Sequence, residues 1–247
     1  SDSTPPARRP VPSPALRIQA AESLALFEAQ SLPLWLPVLR RAPRGDGHHV
    51  LVLPGFMGAD GSTLPLRRYL RSLGYVVHRW GQGRNLGPTP QILDGLDRRV
   101  EALAAEAGGP LSVIGWSLGG MYAREIARAV PEAVRFVATL GSPVRMRTGD
   151  RSSASFLFDR LSRRHAETEP IPAEELRDPL AMPSTSIYTR TDGLVAWQLC
   201  LDEASEEGRH ENIEVRGSHS ALGMNPAVLY ALADRLAHVG DGREWQP

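Results

Sequence analysis

The chain has 247 residues, 42% of them hydrophobic and 23% charged, a composition that folds rather than stays disordered and a length one α/β domain absorbs. Its 28 basic and 28 acidic side chains cancel, so no cationic excess draws it to nucleic acid or to an anionic membrane. Lysine is absent, which excludes Schiff-base chemistry and lysine-dependent phosphate loops, and the single cysteine, Cys200, excludes an intrachain disulfide.

Residues 1–14 are rich in Pro, Ser and Arg with no apolar core, and the sequence predicts a disordered lead-in rather than an intact secretory signal. The chain begins without methionine, so a cleaved leader would leave no trace; a cytoplasmic location is the expectation. No apolar run approaches the roughly 20 residues of a membrane helix, and no transmembrane segment is expected. Residues 15–247 are expected to form one domain. From Ala15 to Gln30 the spacing of Leu16, Ala20, Leu24 and Phe27 predicts an amphipathic helix. Leu32 to Leu39 is apolar but broken by Pro33 and Pro37, a stretch expected to pack on the domain, with contact to a lipid surface or an acyl pocket as alternatives.

A regular alternation follows. Val50–Leu53 is a wholly apolar run ending at Pro54-Gly55, as a strand buried on both faces reads. Leu64–Leu73 has helical periodicity, with Pro65 in its first turn and Gly74 as its stop. Strands are predicted at Tyr75–His78, Leu111–Ile114, Val134–Leu140, Ser186–Thr189 and Asn212–Val215. Helices are predicted at Gln91–Ala107, Leu118–Val130 and Asn225–His238. Strands alternating with helices predict an α/β fold with about six mostly parallel strands and helices on both faces. Residues 144–183 interrupt the alternation and form a candidate lid carrying the apolar patch Phe156-Leu157-Phe158.

The chemistry concentrates at Gly115-Trp116-Ser117-Leu118-Gly119, a G-x-S-x-G placed directly after a strand and before a helix. That context forces a sharp turn that aims the Ser117 hydroxyl over the sheet edge, with glycines where side chains would collide. A serine hydroxyl needs a base, and the base an orienting acid. Asp192 lies just past the fifth strand and His219 just past the sixth, giving the order Ser…Asp…His at the carboxyl edge of the sheet. The rival acids Asp178 and Asp202 close no predicted strand. His48, His49, His78, His165, His210 and His238 read as packed or solvated side chains, and no metal site is expected. An oxyanion hole is expected from the backbone N–H of Leu118 and that of Phe56 in the loop after the first strand, with Met57 next.

Val52-Leu53-Pro54-Gly55-Phe56, Gly115 to Gly120, Arg190 to Val195 and Gly217-Ser218-His219-Ser220 resemble the corresponding blocks of the α/β-hydrolase fold, in particular of small bacterial lipases and esterases. The resemblance covers about His48 to His238 and implies Ser117 as nucleophile, His219 as base, Asp192 as acid, and oxyanion donors at Phe56 and Leu118. It departs where many members have His-Gly in place of Pro54-Gly55, and in lacking the two earliest strands, which implies a minimal version. The expected activity is cofactor-free cleavage of a small-molecule or lipid-like carboxylic ester. Met57, Trp116, Phe156, Phe158, Trp197, Leu222 and Met224 are the candidate pocket residues. The same triad would serve an amidase, thioesterase, lactonase or acyltransferase, and outside enzymes the fold also serves as a ligand-binding receptor.

Overall fold

A computed structural model describes residues 11–145, 180–202, 210–239 and 241. Six strands form one sheet: β1 (His49–Leu53), β2 (Val76–Arg79), β3 (Leu111–Trp116), β4 (Val134–Leu140), β5 (Ser184–Tyr188) and β6 (His210–Glu214). Their order is β2-β1-β3-β4-β5-β6, and every pairing is parallel. The helices are α1 (Leu16–Ala21), α2 (Ala25–Leu39), α3 (Leu64–Leu73), α4 (Pro90–Ala107), α5 (Leu118–Ala129) and α6 (Pro226–Ala237).

The two-residue period of β1 divides the core. Val50 and Val52 face a cluster with Leu66 and Leu70 of α3 and Val228 and Leu232 of α6. Leu51 and Leu53 face the opposite cluster, with Leu96 and Val100 of α4 and Tyr122 and Ile126 of α5. Both sides are apolar because both are covered, which is why the strand shows no polar alternation. Local signals set the helix ends. Gly74 closes α3 in the left-handed conformation, Thr89 accepts the Ile92 N–H at the start of α4, and Asn225 accepts those of Ala227 and Val228 at the start of α6.

The N-terminal region departs from expectation. The stretch with Pro33 and Pro37 is not broken: it is the second half of α2. Each proline deletes one intrahelical hydrogen bond, but Leu32 and Leu39 pack into the core, and the Tyr69 hydroxyl donates to the Leu39 carbonyl at 3.2 Å. Tertiary contacts hold the helix that local propensity disfavours. The expected apolar stripe is also misplaced, because Leu16 and Phe27 are 82% and 69% exposed while the partly buried Glu22 and Glu28 face the domain. Leu34, Trp35, Leu36 and Val38 keep large exposed fractions. Trp35 and Val38 line a cavity of about 860 Å³ with Ile213, Val215 and Tyr230, and Ser117, Asp192 and His219 are not in its lining. Val11 packs beside Tyr188 and Val195, while residues 1–10 and nearly all of the candidate lid (146–179) lie outside the described residues. Among the described residues no helix is long and apolar enough to cross a membrane.

Strand order positions the site. From β1 the chain crosses through α3 to β2 on one side, and from β3 it crosses through α5 to β4 on the other. The loops after β1 and β3 therefore diverge from adjacent strands and open a crevice at their carboxyl ends, where open parallel sheets bind ligands.

Candidate active site

Ser117 occupies the one-residue turn between β3 and α5 with φ 53° and ψ −119°. A non-glycine residue held at positive φ costs about 1–3 kcal/mol and persists only where its surroundings impose it. Here the imposition is visible. The Ser117 N–H is held by the Leu140 carbonyl at 2.8 Å, a Cβ on Gly115 would overlap the Gly119 backbone, and one on Gly119 would come within 2.6 Å of the Leu53 carbonyl oxygen. Strand and helix pack too closely at this elbow for any side chain on either glycine. Leu118 opens α5, so its N–H has no intrahelical acceptor and joins the positive end of the helix dipole.

Asp192 and His219 lie beyond β5 and β6 and meet. The Asp192 Oδ2 to His219 Nδ1 distance is 2.6 Å, with both residues at most 3% exposed. Asp192 Oδ1 accepts the N–H groups of Leu194 and Val195 at 2.9 and 2.7 Å, so the carboxylate is fixed through both oxygens and can hold the imidazole in one orientation. Burial works against an imidazolium at His219, but the charge and hydrogen bond of Asp192, with a further contribution from the Glu22 charge, outweigh it and hold the pKa above its ordinary value.

The nucleophile elbow and the histidine loop are joined through their neighbours. Trp116 Nε1 donates to the His219 carbonyl at 3.2 Å. Leu140, which holds Ser117, precedes Gly141, where a Cβ would stand 2.9 Å from His219 Nδ1 and 3.1 Å from Asp192 Oδ2. Among the described residues no hydrogen bond joins Ser117 Oγ to the imidazole.

The loop after β1 lies against the serine: a Cβ on Gly55 would be 3.1 Å from Ser117 Cβ. Its next residues are Phe56 and Met57, and Met57 has φ 63°. The Met57 N–H is bonded to the Asn85 carbonyl at 2.7 Å. Asn85, fully buried, was not singled out by the sequence. Its side chain donates to the Pro54 carbonyl at 3.0 Å and accepts from the Tyr122 hydroxyl at 3.0 Å, while its N–H meets the Gly58 carbonyl at 2.8 Å. It clamps the loop on both sides of Gly55 and Phe56. The only signal for it is its place in the Gly-rich 81–90 loop.

The candidate pocket residues differ in exposure. Met57 is 41% exposed, whereas Leu222 is fully buried in the core. Trp116 lies beside Gly223 and Met224 is half-buried at the end of the same turn. Trp197 stacks on Tyr188 with the Arg190 guanidinium 4.5 Å above its ring. Phe156, Phe158 and Asp178 lie outside the described residues.

A second serine–histidine pair exists. Ser184 Oγ is 2.9 Å from both His210 Nδ1 and Asp202 Oδ2, and Asp202 also pairs with Arg124 at 2.5 Å. Ser184 and His210 are the first residues of β5 and β6, at the amino edge, opposite the crevice. All four residues are at most 9% exposed, the Asp202 carboxylate accepts the Ser184 hydroxyl, and the arrangement satisfies a buried ion pair. Asp202, the rival acid, is committed there. His49 and His78 meet across β1 and β2 at 3.2 Å, and among the described residues no group of three or more potential ligands forms a metal site.

The sequence matches no protein-family model and no curated protein. Solved structures do match. Aspergillus fumigatus lipase B superimposes with a TM-score of 0.59 at 16% identity over 83% of this chain and 58% of the lipase. The thioesterase domain from the curacin biosynthetic pathway gives 0.53 at 16% identity over 78% and 92%. Paleococcus ferrophilus monoacylglycerol lipase gives 0.51 at 12% identity over 78% and 96%. Six parallel strands in this order, the strained serine between strand and helix, and these superpositions identify the architecture as the α/β-hydrolase fold.

Proposed function

We propose that the chain is a serine hydrolase of carboxylic esters, with Ser117 as nucleophile, His219 as general base and Asp192 as the acid that orients it. The observation that carries this reading is the buried Asp192–His219 hydrogen bond of 2.6 Å on the same sheet edge as a serine held at positive φ. Catalytic hydrogen bonds are often long before substrate binds, so the serine–imidazole contact is one expected to close in the complex.

His219 Nε2 takes the Ser117 proton as Oγ attacks the acyl carbon. The carbonyl oxygen, now negative, lies between the N–H groups of Leu118 and Phe56, each such donor being worth about 10²–10³ in turnover. Asp192 fixes the tautomer with Nδ1 protonated and stabilises the imidazolium. His219 then returns its proton to the leaving alcohol, and water repeats the sequence on the acyl-enzyme. The reaction needs no cofactor. The apolar surface of Met57, on the oxyanion loop, suits an acyl chain rather than a charged acid.

Nitrophenyl esters of increasing acyl length test the reading. Hydrolysis is expected, with at least one longer acyl group outrunning acetate, and Ser117→Ala is expected to abolish it. Acetate outrunning every longer ester would contradict the acyl preference, and full activity in the Ser117→Ala variant would contradict the nucleophile. A thioester and an amide series run alongside separates the other acyl-transfer chemistries.

A further inference from the structure

A carboxylate outside the triad bridges two of its loops. Glu22, in the turn between α1 and α2, accepts the Gly193 N–H at 2.8 Å and the His219 N–H at 2.9 Å through Oε1, and the Ser220 N–H at 2.9 Å through Oε2. Gly193 follows the acid and His219 is the base, so one side chain joins the ends of β5 and β6. The contact is close enough to dictate sequence: a Cβ on Gly193 would come within 2.7 Å of Glu22 Cγ and of the Ile18 carbonyl oxygen. Glu28 repeats the device on the Ser218 N–H at 3.0 and 3.2 Å.

We propose that Glu22 is a positioning residue of the Ser117–His219–Asp192 site, locking the acid loop to the base loop and adding a fixed negative charge behind the imidazole. The inference rests on the triad reading above. With Glu22 holding the His219 N–H, Trp116 the His219 carbonyl and Asp192 the ring, the base is fixed at three points. Burial pushes the Glu22 carboxyl up, but the Ser220 hydroxyl and the N–H groups of Ser220, Gly193 and His219 outweigh it and hold it below the usual carboxylate range. It is therefore an anion at neutral pH. Among the described residues, the ionisable groups bearing on His219 are Asp192 from the loop after β5 and Glu22 from the N-terminal segment. Cys200, near Asp192, has its thiol pushed well up by burial and stays neutral. An imidazolium forms in each half-reaction, so the Glu22 charge favours the state that follows proton transfer.

The test compares wild type, Glu22→Gln and Glu22→Asp in the full chain by fluorophosphonate labelling and by pH profiles of kcat and kcat/KM on one ester. Glu22→Gln places an amide donor among three N–H donors. It is expected to lower kcat roughly 10- to 100-fold through misplacement of the base, with KM within about threefold. The acidic limb is expected to move down by about half a unit or more as the charge is lost. Glu22→Asp keeps the charge on a shorter stem, so kcat is expected to fall while the acidic limb stays near that of the wild type. Unchanged kcat in either variant would overturn the proposal, as would a lowered kcat in Glu22→Gln with the limb unmoved, since a merely structural role does that. If Glu22→Gln does not fold, Glu22→Asp decides on its own readout. Wild type that takes no label refutes the triad and this inference together, whereas labelled wild type with indifferent variants refutes this inference alone.

Discussion

At the scale of single residues, the proposed chemistry passes one proton between Ser117 and His219 while Asp192 holds the other side of the imidazole. Asp192 has both oxygens committed, one to the ring of His219 and one to the backbone of its own loop. Asp192→Asn preserves the shape but offers an amide where the imidazole N–H needs an acceptor. By analogy with the serine-protease case, kcat is expected to fall by about 10⁴ while thermal unfolding still shows a folded protein; a variant of full activity would assign the role to another carboxylate. His219 must be neutral to act as a base. Because its pKa is held above the ordinary imidazole value, kcat/KM is expected to fall on acidification with a midpoint above about pH 6.5. The sign reverses for stability: a raised folded-state pKa contributes stability below about pH 6.5 that is lost as pH rises through the folded value. That Asp192 and His219 would meet could be proposed from the sequence because each lies a few residues past a strand end. Glu22 was not legible there, because its partners are backbone N–H groups, which leave no mark in a pattern of side chains.

At the scale of elements, loops and helix ends carry the proposed site and the packing between elements fixes them. The loop after β1 is held by Asn85, which reaches Pro54, Met57, Gly58 and Tyr122. Asn85→Ala leaves the Pro54 carbonyl and the Tyr122 hydroxyl without this partner. Chemical denaturation is expected to show a loss of about 1–3 kcal/mol, and kcat is expected to fall more than KM rises if the loop supplies the proposed oxyanion donor. Unaltered kcat would separate the loop from catalysis. Most elements were readable from periodicity, α3 and β4 to the residue, because apolar spacing and Gly or Pro punctuation agreed. The N-terminal segment was not. Pro33 and Pro37 argue locally against the helix that Leu32, Leu39 and Tyr69 hold in place, and the spacing of Leu16 and Phe27 selects a face that turns outward because Glu22 and Glu28 turn inward.

At the scale of the molecule, a parallel sheet concentrates function at its carboxyl edge and leaves the amino edge to stability. Both edges here carry a serine, a histidine and an aspartate, and position tells them apart. Ser117, Asp192 and His219 follow strand ends beside the crevice between β1 and β3, whereas Ser184, His210 and Asp202 with Arg124 close the opposite edge around a buried ion pair. Ser184→Ala is expected to cost about 1–3 kcal/mol of stability and to leave turnover in the folded protein intact. The most direct measurement is therefore fluorophosphonate labelling of wild type, Ser117→Ala and Ser184→Ala, with the modified residue located by peptide mass spectrometry. A single adduct on Ser117 in wild type and in Ser184→Ala, with none in Ser117→Ala, is the predicted result. An adduct on Ser184, or no adduct on active wild type, would contradict the assignment of the nucleophile.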